Sequence, residues 1–575
     1  VEISRRDLIR QTAAGGLAAA ALTMPGVIRS AAATSSTPPS PTGTVGRTFT
    51  TSAAGAQGYR KVITASGEQH LTRPGLGITA DAGRASRRTG LISFVQLSDV
   101  HIVDAQSPLR LEWTDRLDDP SPLPAIGLFS SSYRPQEMLT GQVADAMVRA
   151  INQIAVGPVT GKPFALAIQT GDNSDNSQLN EVRWNIGVLN GGQVRVDSGN
   201  PTRWEGVADS FAATYDAAYW HPDGNPAGKP VDRPRSEYGF PVVPGLLNAA
   251  RAPFQAQGLQ IPWYSVFGNH DGLVQGNFPT STLQLNLLAL GALKIVSPPI
   301  GLDPQQLAQD LSTNPAALLT NLLGGAANTS VRLVTPDLNR RLLTRKQVVE
   351  QHFTMGGAPF GHGFTADNRS KGTAYYHFDK AQFRFVVLDT VNPNGYADGS
   401  LDATQFAWLK ALLAQSGDKV VMVFSHHTSD TMGNPLVATG GSTELRTTGG
   451  KVLETLLAHR QVIAWINGHT HVNTITPRPG PTGGGLWEIT TASHIDWPQQ
   501  ARIIEIADNA DGTLSIFTTM VDHAGPASDG AGLGSATALA GLARELSAND
   551  WHDHTKGLGT PQDRNVELLV ADPLA

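Results

Sequence analysis

Five stretches of the chain share one pattern, an apolar run of strand length that stops on a cluster of Asp, Asn and His. Residues 91–97 run into Asp99-Val100-His101, and 164–169 into Gly171-Asp172-Asn173-Ser174-Asp175. The others are 262–267 into Gly268-Asn269-His270-Asp271, 420–425 into His426-His427, and 462–467 into Gly468-His469-Thr470-His471. Short apolar runs bounded by turn residues read as buried strands. In open α/β sheets ligands lie outside the carboxyl ends of the strands, so each of these endings is placed where a site should be.

Between the first two runs, Val143, Met147, Ala150, Ile151 and Ile154 share one face of a helix predicted over 140–154. That makes a βαβ unit, with parallel strands and a right-handed crossover. A hairpin is predicted over 373–389, helices over 402–414 and 450–459, and strands over 486–491, 501–507 and 513–521, these last suggesting a second sheet packed on the first. The stretches 175–262 and 271–373 are too long for simple connections and read as binding elements that shape a pocket. The second contains an apolar run at 283–293 and a helix-like run at 304–311. Beyond 524 only an amphipathic helix over 536–546 stands out.

At 575 residues the chain is either several domains or one large domain with insertions. Its formal charge is −6 and it has no basic run, so neither a nucleic acid nor an anionic membrane surface is expected as a partner. The start, Ser4-Arg5-Arg6-Asp7-Leu8-Ile9-Arg10, precedes an Ala/Gly/Leu-rich stretch and Ala31-Ala32-Ala33. The pattern resembles a Tat-type export signal cleaved near Ala33, and its apolar part is too short to span a bilayer. The expected location is therefore periplasmic or extracellular, with the Tat machinery as partner and no stable membrane anchor. No cysteine is present, which excludes disulfides, thiolate metal sites and a lipidated cysteine. The expected organisation is a signal at 1–33, a linker and extension at 34–90, a catalytic domain at 91–522 with insertions at about 185–260 and 273–372, and a tail at 523–575.

Singly the motifs differ in weight. About one Asp-x-His is expected by chance in such a chain, and Asp550-Trp551-His552 in the tail shows how little one means. The ordered set Asp-x-His, Gly-Asp-x-x-Asp, Gly-Asn-His-Asp, a His after a strand and Gly-His-x-His is far rarer. It resembles the calcineurin-like metallophosphoesterase superfamily. The resemblance implies a four-layer αββα sandwich with mixed β-sheets and two metal ions at the strand ends. By position it implies one ion held by Asp99, His101, Asp172 and His471, and another by Asp172, Asn269, His426 and His469, with Asp172 bridging. Either of the adjacent His426 and His427 could be the ligand, and the family pattern favours the first.

Carboxylates and imidazoles without thiolate suit Mn, Fe, Zn or Co, and a shared carboxylate holds two such ions close together. The expected reaction is hydrolysis of a small phosphoric ester, monoester or diester, by in-line attack of a metal-bound hydroxide. The resemblance implies that His270, next to a ligand without being one, protonates the leaving oxygen as general acid or contacts phosphate, with Asp271 or Asp175 orienting it or a ligating imidazole. Asp175 stands where purple acid phosphatases have a tyrosine ligand, so their colour is not expected. His362 and Arg369, in the second insertion, are candidates for substrate contact or plain surface loop. The alternative from another class is a non-catalytic exported metal- or ligand-binding protein on the same fold.

Overall fold

The computed structural model describes residues 40–117, 131–281, 283–298, 330–437, 443–481, 483–527, 532–552 and 554–575, with isolated positions between 303 and 314. The export signal and most of the helix-like run at 304–311 lie outside the described residues. The chain divides into a unit of Val1–Ser35 and one of Ser36–Ala575, and everything below concerns the second.

Two mixed sheets form its centre. The strands, in chain order, are β1 (Leu71–Arg73), β2 (Thr89–Leu97), β3 (Phe164–Gln169), β4 (Trp263–Ser265), β5 (Tyr376–Lys380), β6 (Phe383–Val387), β7 (Val420–Phe424), β8 (Val462–Asn467), β9 (Thr474–Pro479), β10 (Gly485–Thr490), β11 (Gln500–Asp508), β12 (Thr513–Asp522) and β13 (Val566–Ala571). One sheet has the order β1-β13-β12-β11-β2-β3-β4 and the other β5-β6-β7-β8-β10-β9. The βαβ unit is present, with β2, β3 and β4 parallel neighbours and α1 (Thr140–Ile154) between β2 and β3.

Period-2 alternation sorts the side chains of the second sheet between two cores. Phe385, Met422, Phe424 and Ile466 face the first sheet, where the Phe94 ring sits 5.6 Å from Phe385 and 6.0 Å from Phe424. Val386, Val421, Val423 and Trp465 point the other way, against Leu409 and Leu413 of α2 (Ala403–Ala414) and Val452 and Leu456 of α3 (Gly449–Leu457). Truncating one fully buried ring such as Phe94 costs about 3–5 kcal/mol. On the far side of the first sheet, Met147, Val148 and Ile151 of α1 join its core, while Val143 and Ala146 pack on α4 (Ala536–Ser547). The result is helices, sheet, sheet, helices.

Two placements differ from the sequence reading. Only β10 of the three late strands joins the sheet of β7 and β8; β11 and β12 continue the first sheet on the other side of β2. Both outer stretches also enter that sheet: β13, from the supposed tail, pairs with β12, and β1, from the supposed linker, pairs with β13. Local patterning marks a strand but not its partner, because the partner is chosen by shape and hydrogen bonding hundreds of residues away. No helix among the described residues is long and apolar enough to cross a membrane.

Candidate metal centre

Register brings the strand ends level. Leu97 pairs with Gln169 and Gln169 with Ser265, so the loops after β2, β3 and β4 leave their sheet together. Phe424 pairs with Ile466 in the same way in the other sheet. Gln96 ties the two sheets at this edge, donating to the Asn467 carbonyl at 2.9 Å and to Thr170 Oγ1 at 3.0 Å.

Asp99, His101, Asp172, Asn269, His426, His469 and His471 meet there. His101 Nε2 lies 3.3 Å from His471 Nε2, and His426 Nε2 lies 3.2 Å from His469 Nδ1, which makes two facing imidazole pairs. Asp172 stands between them, with Oδ2 3.1 Å from His426 Nε2 and 3.6 Å from His101 Nε2. Asp99 Oδ1 is 3.4 Å from His471 Nε2 and accepts from the His469 backbone N–H at 3.1 Å. The His270 N–H donates to Asp172 Oδ1 at 2.9 Å.

The backbone is bent to achieve this. Asp99, His101, Asp172, His469 and His471, five of the seven, have φ between +45° and +69°, in the left-handed region that non-glycine residues rarely occupy. Such conformations persist only where the surroundings enforce them, and they gather at functional sites. The motif glycines make the approach possible. A Cβ on Gly268 would lie 2.2 Å from the Asp172 nitrogen, and one on Gly468 would lie 2.1 Å from Ser98 Oγ.

The remaining candidates separate clearly. Asp175 Oδ1 is 3.3 Å from His101 Nδ1, and its carbonyl accepts from His270 Nδ1 at 2.8 Å. Asp271 does not orient a histidine: its oxygens accept from the backbone of Gly268, Asn173 and Ser174 and from the Asn173 and Ser174 side chains, so it clamps the loop instead. His427 has both ring nitrogens engaged, with Thr390 Oγ1 and the Ala397 carbonyl, each at 2.7 Å. His426 is therefore the one that meets Asp172. His362 is neither a substrate group nor a surface loop; it is buried, stacked 3.5 Å from Trp263, and holds the Gly356 carbonyl at 2.8 Å. Arg369 pairs with Glu350 on the surface. In the tail, His552 lies 3.4 Å from Asp115.

Sequence reasoning missed Asp496, whose Oδ2 is 2.5 Å from His471 Nδ1. It also missed Arg110, Gln275 and Arg134, which hold Asp175 and Asp496 in place. None belongs to a motif, and no local signal marks them.

Buried carboxylates and burial itself pull the imidazoles of the site in opposite directions. Burial alone would lower His426, but the Asp172 carboxylate pushes it up to about 9. Burial likewise opposes, and Asp496 and Asp99 overcome, a rise of His471 to about 9. Their partners go the other way: burial and His270 lower His101 to about 4, and burial and His426 lower His469 to about 3. His270 rises against burial because of Asp172 and Asp175. Burial, then Asp172, pushes Asp271 up to about 6.

These residues fit a pair of metal ions. Asn269 Oδ1 is buried with no hydrogen-bond partner among the described residues, which is costly unless a cation takes it. Buried Asp99 and Asp172 share one group of possible ligands with His426, an arrangement that calls for positive charge. Two nitrogens each about 2.1 Å from a tetrahedral ion stand about 3.4 Å apart, close to the spacing within both imidazole pairs.

No protein-family model matches the chain, and no curated protein matches it. Among solved structures it is similar to a dimetal phosphatase from Danio rerio, at 13% identity over 76% of this chain and 99% of that one, with a TM-score of 0.31. It is also similar to a purple acid phosphatase from yellow lupin (Lupinus luteus) seeds, at 10% identity over 80% of this chain and 54% of that one, with a TM-score of 0.28.

Proposed function

We propose that this chain is an exported dinuclear-metal hydrolase of small phosphoric esters. The observation that carries it is the convergence of two facing imidazole pairs on Asp172, beside the orphaned Asn269 Oδ1. One position would be held by Asp99, His101, Asp172 and His471, the other by Asp172, Asn269, His426 and His469. Both suit Mn, Fe, Zn or Co. Such a pair, when bound, supplies a Lewis acid for phosphoryl oxygens and an activated water.

The chain's own residues do the rest. Asp99 and Asp172 supply the negative charge that draws cations in, and Asn269 adds a ligand without adding charge. His270 is held from both ends, its backbone N–H on Asp172 and its Nδ1 on the Asp175 carbonyl, so its Nε2 is the atom left to deliver a proton to the departing oxygen. The first 33 residues carry the export function and engage the Tat machinery, which delivers the folded protein to the periplasm or beyond.

The test compares two esters. His270→Ala should lose about 10²–10⁴-fold on an alkyl ester, the range of a positioned general acid, and far less on a nitrophenyl ester, whose leaving group needs no proton. Both ions should stay bound. Equal losses with full metal content would assign His270 to phosphate contact instead. A parent protein that holds two ions yet cleaves no mono- or diester would be a binding protein.

A further inference from the structure

The carboxylates behind His101 and His471 are joined to each other. Arg110 is fully buried and donates through Nη2 to Glu137 Oε2 at 2.7 Å and through Nη1 to Gln275 Oε1 at 2.7 Å, with Nη1 3.5 Å from Asp175 Oδ2. Gln275 donates in turn to that same Asp175 oxygen at 2.9 Å. Glu137 Oε2 also accepts from the Arg134 backbone N–H at 2.9 Å. The Arg134 guanidinium grips both oxygens of Asp496, the Nη2 bond being 3.0 Å. Both arginines donate to the Ser131 carbonyl, at 3.3 and 2.6 Å. The path therefore runs His101, Asp175, Arg110, Glu137, Arg134, Asp496, His471, and closes where the two Nε2 atoms stand 3.3 Å apart.

We propose that Arg110 and Arg134 are positioning residues that fix the separation of His101 and His471, and through it the affinity of the metal position those imidazoles line. This rests on the metal-centre reading above. Asp175 and Asp496 come from different loops, one after β3 and one between β10 and β11, whose main chains, among the described residues, meet only through Asp99, with His494 N–H on the Asp99 carbonyl at 3.0 Å and Asp99 N–H on the Gly171 carbonyl at 3.2 Å. The segment between β2 and α1 supplies both arginines and Glu137 and reaches both carboxylates. The Arg134 fork fixes the plane of the Asp496 carboxylate, and that plane aims the His471 imidazole, whereas Arg110 acts on Asp175 by its charge at 3.5 Å and through Gln275, which bonds both. An ammonium offers a point charge without that fork.

The test uses full-length protein stripped of metal and titrated with cobalt, with calorimetry giving affinities and the visible spectrum reporting ligand geometry. The parent should take two ions. Arg134→Met and Arg110→Met should weaken one of them about 10–100-fold and alter its spectrum, leaving the other unchanged. Arg134→Lys should still weaken that ion, by about tenfold. Far-UV circular dichroism of the metal-free proteins shows which variants fold. Should Arg134→Met fail to fold, Arg134→Lys, which keeps a positive charge beside Asp496, carries the measurement. Unchanged affinities and spectra in folded variants, or equal weakening of both ions, would overturn the proposal and leave the two-metal reading standing. A parent that takes up no metal would overturn that reading.

Discussion

The two imidazole pairs of the centre look alike in residue type and differ in what stands behind them. His101 and His471 each present Nδ1 to a buried carboxylate, Asp175 and Asp496, and those carboxylates are pinned by buried guanidiniums. In the other pair His426 presents Nδ1 to a main-chain carbonyl, that of Thr170, at 3.0 Å. A carboxylate behind an imidazole raises its basicity and fixes its orientation, whereas a carbonyl mainly fixes orientation. Two positions that each set a pair of imidazoles against Asp172 therefore need not be equal. On the two-metal reading the carboxylate-backed position is expected to be the stronger and more rigid, and the carbonyl-backed one, to which Asn269 would add no charge, the more exchangeable.

Removing what the two sides share has the largest expected effect. Asp172→Ala should take the protein from two ions to none, whereas His471→Ala and His426→Ala should each lose one; elemental analysis of the purified variants decides. Two ions retained in Asp172→Ala would dissolve the comparison, since the sides would then be independent. A smaller effect separates them. During stepwise chelation the ion on the His426 side should leave first, the other holding about 10–100-fold more tightly. Simultaneous loss would show that what stands behind the rings does not matter here.

The smallest effect lies far from either pair and checks that the asymmetry is local. Glu567 on β13 is buried, which would raise it, yet the Arg84 guanidinium and the Ser515 and Thr72 hydroxyls hold it down at about 2. Its folded pKa is thus below the ordinary 4.5, so its contribution is complete above about pH 4.5 and is lost as pH falls from there through about 2. In Glu567→Gln the stability deficit against the parent should shrink over that window in chemical denaturation, with both metal affinities at neutral pH unchanged.

The legible part of the centre was the part written in consecutive residues. Gly268-Asn269-His270-Asp271 and Gly468-His469-Thr470-His471 are each a strand end, a glycine that permits close approach and candidate ligands, all within four positions. Asp496 and Arg134 carry no such signature, because an aspartate and an arginine are common residues and only their meeting across 362 positions gives them meaning. Asp271 was readable as a motif member but not in its role, since a carboxylate one residue from a histidine is as able to bond the loop backbone as the ring.

Where the strands end, which side chains those ends carry, and the early alternation of helices with strands were all legible from neighbouring residues. Strand periodicity and motif spacing are properties of neighbouring residues, and neighbours suffice to show them. The tertiary structure decided which strands pair, that β1 and β13 from the outer stretches enter the larger sheet, that His426 rather than His427 turns to Asp172, and that His362 is packed into the core. Each of those outcomes depends on hydrogen-bond partners and apolar surfaces brought together from distant parts of the chain, and a choice among distant partners is made only when the whole core closes.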